Sequence, residues 1–161
     1  MKMPNALGAL AAVTIGLFAL SAFAHEAGGP LTAAQKKYLS QYENIRAALA
    51  ADDLAAAKKA AAVYVSAPQE KAANEADAKR AATRLNAGKK LSGASSLGEA
   101  RDAFKILSRT ANHLAEGQKG YYRYICPHVP NDEGKWVQTT KAISNPYEGK
   151  SNPKCGKALT D

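Results

Sequence analysis

Ser96–Leu114 reads SLGEARDAFKILSRTANHL, and its spacing decides the fold. Ser96 and Glu99 stand three apart, as in a capping box in which each side chain satisfies a free backbone N–H of the helix start. Leu97, Ala100, Phe104, Leu107, Ala111 and Leu114 then follow at alternating steps of three and four. That is the seam of a helix packed lengthwise against other helices.

The chain upstream supplies its partners. Thr32 is placed to cap a first helix in which Tyr38, Tyr42, Ile45 and Leu49 share a face. Asp52 or Asp53 can cap a second, with Leu54, Ala57, Ala61 and Val65 along one side and Ser66-Ala67-Pro68 as its stop. A third is expected over about 69–87. It is nearly all Ala, Lys, Glu and Arg, with Leu85 as its one large apolar residue, and Gly88 is read as its end. Four helices of similar length with short connections predict a mainly α protein, an up-and-down four-helix bundle over 32–117.

Two segments lie outside that pattern. At the start, Met1-Lys2 is followed by an uncharged apolar run from Ala6 to Leu20 and by small residues at Ala22 and Ala24. Charge, short apolar core and A-x-A site together predict a signal peptide over 1–24, then a leader over 25–31. On this expectation the protein is exported to the periplasm, with no membrane-spanning segment after cleavage. Cleavage would remove one lysine and no acid, lowering the formal charge from +8 to +7, and would take both methionines. The basic surplus alone would raise nucleic acid as a partner. Export argues against it, and no aromatic-plus-basic signature supports it.

At the other end, 118–161 holds both cysteines, the only tryptophan and four of the seven tyrosines. Tyr121–Ile125 reads as a strand, Asn131–Gly134 as a turn and Lys135–Thr139 as the returning strand. From Asn145 onward, Pro146, Gly149, Pro153 and Gly156 predict an irregular loop. The result is a small irregular/β C-terminal lobe, carrying the cysteines and packed on the bundle through its aromatic side chains.

The lobe also holds the chemistry. Cys126-Pro127-His128 sets a thiol and an imidazole two residues apart, and Cys155 follows next to Gly156. Two thiolates and an imidazole are ligands for a soft or borderline ion, copper or zinc. The alternative is a structural or protein-interaction module with a Cys126–Cys155 disulfide, common in exported chains and worth roughly 3–4 kcal/mol for a loop of this length. Spacing leaves both open.

Further motifs accompany these ligands: Trp136-x-Gln138, Ile143-x-Asn145-Pro146-Tyr147 and Gly149-Lys150 ahead of Cys155-Gly156. Upstream stand Ala50-Ala51-Asp52-Asp53 and Ala100-Arg101-x-x-Phe104-x-x-Leu107-Ser108. Together they resemble domain-of-unknown-function family 3347 over roughly residues 34–157. That family occurs as stand-alone periplasmic proteins and on membrane-fusion subunits of heavy-metal efflux pumps. The resemblance implies a helical bundle with a metal-associated cysteine lobe, a link to copper or other heavy metals, and an efflux or metal-chaperone protein as partner. The family pattern carries methionine where this chain has His128 and Asn152. Imidazole in place of thioether moves the expected preference from Cu(I) toward Zn(II) or Cu(II).

Two histidines remain. His113, near the end of the fourth helix, suits a helix-terminal cation and is also a candidate fourth ligand. His25 would be the mature N-terminus, able to chelate copper through its imidazole and α-amino group. No phosphate loop, nucleophile–base arrangement or paired acids point to an enzyme. The sequence therefore predicts a non-enzymatic, exported protein that sequesters or transfers a transition-metal ion through Cys126, His128 and Cys155, with His113 as the further candidate.

Overall fold

The computed structural model describes residues 29–69 and 71–160. The expected signal peptide and His25 lie outside them. Four helices form: α1 Ala33–Ala50, α2 Leu54–Ser66, α3 Glu75–Gly93 and α4 Leu97–Ala115. Each packs on the next in chain order, and α4 returns to α1, which closes the up-and-down bundle. Among the described residues no helix is long and apolar enough to cross a membrane.

The expected seams face inward. Leu39, Tyr42, Ile45 and Leu49 of α1 meet Ala100, Phe104, Leu107 and Ala111 of α4 in one core. Phe104 is completely buried and stacks on Tyr42 with ring centroids 5.0 Å apart. Burying a side chain of that size contributes about 2–3 kcal/mol. In α2 the small faces of Ala57 and Ala61 are buried together with Tyr64, which the expected face did not include.

The third helix is displaced from its expected span. Gln69 does not open it. Its Nε2 donates to the carbonyl of Ala67 at 2.9 Å, so it finishes α2 instead. Asn74 caps α3, its Oδ1 accepting from Asp77 N at 2.9 Å. Gly88 does not end the helix, which continues to Gly93. A Cβ at Gly88 would stand 2.7 Å from Tyr64 Cδ1. The glycine lets α3 pack directly on Tyr64 and Val65 of α2, and Leu91, not Leu85, is the buried leucine of α3.

The cap of α4 differs in one detail. Ser96 Oγ accepts from Glu99 N at 3.2 Å as expected, but the Glu99 carboxylate reaches Ser95 N at 2.8 Å and not Ser96 N. Those bonds hold the Glu99 carboxyl below the usual carboxylate range. A reciprocal box forms instead at α1, between Thr32 and Gln35.

After Gly117 the chain forms a three-stranded antiparallel sheet of β1 Tyr122–Ile125, β2 Lys135–Gln138 and β3 Lys157–Ala158, in the order β2-β1-β3. The first two strands match expectation, with Tyr124 opposite Trp136. The third strand was not foreseen, because two residues give no alternating pattern. The sheet rests on α4 through β2, where Trp136 and Val137 are buried. Tyr42 Oη, hydrogen-bonded to Ser108 Oγ at 2.9 Å, accepts from Val137 N at 3.2 Å. Tyr147 Oη donates to Lys135 O at 2.8 Å. Burial raises both phenols well above their ordinary pKa, so they remain neutral hydrogen-bonding groups.

Candidate metal centre

Cys126 lies directly after β1. Its amide donates to Gly134 O at 3.0 Å, and its carbonyl accepts from Val129 N at 3.3 Å. The resulting tight turn carries His128. A Cβ at Gly134 would come 2.7 Å from the Cys126 carbonyl, so this turn requires glycine there. Cys126 is fully buried, whereas the His128 side chain is 58% exposed. The site therefore has a deep thiol and an imidazole at its rim.

The other half comes from the loop after β2. Arg46, buried in α1, donates to Ser144 O at 2.8 Å. Arg101 of α4 donates through Nε to Pro146 O at 2.8 Å and through Nη2 to Asp52 Oδ1 at 2.5 Å. Asp52 Oδ2 accepts from Lys150 N at 2.9 Å. That N–H and the Arg101 guanidinium hold the Asp52 carboxyl below the usual carboxylate range. The adjacent aspartates thus divide their roles: Asp53 caps α2 through Ala56 N, while Asp52, with φ +56°, turns away to grip the loop. Between them and the loop there is room only for glycine. Gly149 has φ +54°, and its Cβ would stand 1.8 Å from Asp52 Oδ1.

This loop delivers Glu148 and Cys155. Cys126, His128, Glu148 and Cys155 form one group, with their ligand atoms all within 4.8 Å of one another. His128 Nδ1 lies 2.6 Å from Glu148 Oε1 and 3.7 Å from Cys155 Sγ. Desolvation, the Cys126 thiol beside it and the Glu148 carboxylate raise the Cys155 thiol above its ordinary pKa.

The donor set fits a tetrahedral ion. With metal–sulfur and metal–nitrogen bonds of about 2.3 and 2.05 Å, adjacent S and N ligands should be about 3.6 Å apart. Cys155 Sγ and His128 Nδ1 already meet that spacing. The His128–Glu148 contact is shorter than the roughly 3.4 Å of two N and O ligands. A direct hydrogen bond between the two side chains accounts for it, and an entering ion would replace that bond. No pair is wider than 4.8 Å, so closing to the roughly 3.6–3.8 Å of ligands on one tetrahedral ion needs a movement of about 1 Å at most.

Both cysteines are free thiols. The disulfide of the alternative reading is not formed, because the two sulfurs sit at ligand spacing around His128 and not at bonding distance. His113 does not join the group. It is exposed in the last turn of α4. Asn152 is exposed too, and contributes its carbonyl to Cys155 N at 3.2 Å.

Glu148 was not among the expected ligands. The available signal was a carboxylate seven residues before Cys155 in the same Pro/Gly-rich loop, which alone does not distinguish a ligand from a solvated acid. Compared with known protein families, curated proteins and solved structures, the chain gives no match.

Proposed function

We propose that this chain is an exported, periplasmic metal-binding protein that holds one copper or zinc ion through Cys126, His128, Cys155 and Glu148, and that it sequesters the ion or passes it on. The observation that carries this reading is the convergence of four ligand atoms within 4.8 Å from two separate loops. Four protein ligands close a tetrahedral ion and leave no position for substrate, which favours holding over catalysis. An imidazole and a carboxylate beside two thiolates favour Zn(II) or Cu(II) over Cu(I). The exposed ring of His128 offers the point where a partner's ligand enters during hand-over, and an efflux subunit or metal chaperone fits that role. The cysteine motifs resemble those of family 3347 in short stretches alone, since no family model matches the chain.

The test is titration of the reduced, metal-free chain with Zn2+, Co2+ and Cu+, alongside a thiol count. One ion per chain is expected. Cys155→Ser and His128→Ala should each weaken binding at least about tenfold, and Glu148→Gln should do so for Zn2+ more than for Cu+. A thiol binds the ion only as thiolate, so the ion must displace the Cys155 proton. Apparent affinity should rise with pH by about tenfold per unit for each proton displaced, until the thiol ionises unaided. Two free thiols with no stoichiometric metal would overturn the assignment.

A further inference from the structure

The segment from Glu148 to Cys155 contains a single short 3₁₀ turn, Gly149–Ser151, and no strand. Something other than regular structure must fix the two ligands it carries. Asn145 is completely buried, and every polar atom it has is used within this segment. Its Oδ1 accepts from Tyr147 N at 2.7 Å and from Glu148 N at 3.2 Å. Its Nδ2 donates to Cys155 O at 2.8 Å. Its own amide donates to Pro153 O, and its carbonyl accepts from Gly149 N, both at 3.0 Å. One side chain therefore holds the backbone of both loop ligands, through an acceptor toward Glu148 and a donor toward Cys155.

We infer that Asn145 is the positioning residue of the metal centre, setting the separation of Glu148 and Cys155 and so the number of thiolates that reach the ion. This rests on the proposed metal site. Only an amide serves both ends. A carboxylate of the same shape keeps the two acceptor contacts but faces the Cys155 carbonyl with a second acceptor. Asn145→Asp should therefore release Cys155 while leaving Glu148 in place, and Asn145→Ala should release both. Groups standing behind metal ligands typically account for about 10–100-fold in affinity, and that loss is expected for Asn145→Asp.

Two measurements on the chain as purified decide it. The first is Co2+ binding, read by competition and by the thiolate-to-cobalt charge-transfer band, whose intensity follows the number of bound thiolates. Asn145→Asp should weaken the band toward that of Cys155→Ser while the helical circular dichroism is kept. The second needs no metal. Phenylarsine oxide condenses with two neighbouring thiols, forming two As–S bonds and releasing one water. Bridging of Cys126 and Cys155 should be at least about tenfold slower in Asn145→Asp, with Cys155→Ser giving none. Wild-type band, affinity and bridging rate in Asn145→Asp would overturn the inference. So would lowered stability with an unchanged band, which would make Asn145 structural only. If the wild-type chain takes no Co2+ but its bridging depends on Asn145, the metal assignment falls and the positioning role stands. If it takes Co2+ and neither readout responds to Asn145, the reverse holds.

Discussion

The bundle and the lobe are held together by different means. In α1–α4 the backbone satisfies itself and apolar faces supply the cohesion, with Leu39, Ile45, Leu49, Phe104 and Leu107 almost wholly buried. In the lobe the strands are two to four residues long, and the loops between them hang on single polar side chains. Arg46, Arg101, Asp52 and Asn145 hold the loop that carries Glu148 and Cys155. Gln138, fully buried, uses its amide to bind Trp136 Nε1, Ser144 N and Ala142 O. Removing a methylene group from the bundle should lower stability in proportion to size. Removing one hydrogen bond from the lobe should move a ligand.

The largest effect should come where the two regions share a residue. Phe104 stacks on Tyr42 of the bundle and lies 5.8 Å, centroid to centroid, from Tyr147 of the lobe. Phe104→Ala should cost about 3–5 kcal/mol. Chemical unfolding followed by far-UV circular dichroism and by the fluorescence of Trp136, the sole tryptophan, should shift together. If the tryptophan signal kept its wild-type midpoint, the lobe would not depend on the bundle core.

Gly149→Ala separates the regions. The substitution forces a side chain into a left-handed conformation and into the Asp52–Arg101 pair. Backbone strain alone accounts for about 1–3 kcal/mol. Metal affinity and the Trp136 signal should suffer while the helical signal persists, and coincident loss of all three would mean that bundle and lobe unfold as one unit. Asp52→Asn weakens the same clamp and has a pH signature. The folded carboxyl has a lowered pKa, so its stabilisation is complete above the unfolded value of about 3.9 and is lost as pH falls through the folded one. The variant should therefore flatten the acid end of the stability profile and leave its slope near neutral pH unchanged.

The same contrast explains what was legible in the sequence. Periodicity gave the bundle, since the seam of α4 can be read from spacing alone, and the strand-favouring residues on either side of the Asn131–Gly134 turn gave the hairpin. The span of α3 was not legible. Its alanines carry no face signal, and Gly88 is as natural at a helix end as at the close approach to Tyr64 that it makes. In the candidate site, Cys126, His128 and Cys155 were legible as ligand types, but Glu148 was not. Its place depends on Asp52 and Arg101, which lie 96 and 47 residues away along the chain from Glu148 and are brought to it only by the folded bundle.

The smallest effect is the control. Ser96→Ala removes one hydrogen bond at the start of α4, the bundle's counterpart of the bonds Asn145 makes in the lobe. An N-cap serine is worth about 1 kcal/mol. Here part of that should be recovered, because Glu99 already binds Ser95 N and Ser95 Oγ and keeps the first turn anchored. Thermal unfolding should fall by no more than that amount, and Co2+ affinity should not change. The first turn of α4 can shift slightly because the rest of the helix keeps its own hydrogen bonds and its buried face. The loop around Asn145 has no such ladder; its other anchors, Arg46, Arg101 and Asp52, grip Ser144, Pro146 and Lys150, and none of them bonds Cys155. If Ser96→Ala altered metal affinity as much as Asn145→Asp, positioning would belong to the whole bundle and not to the side chains that grip the loop.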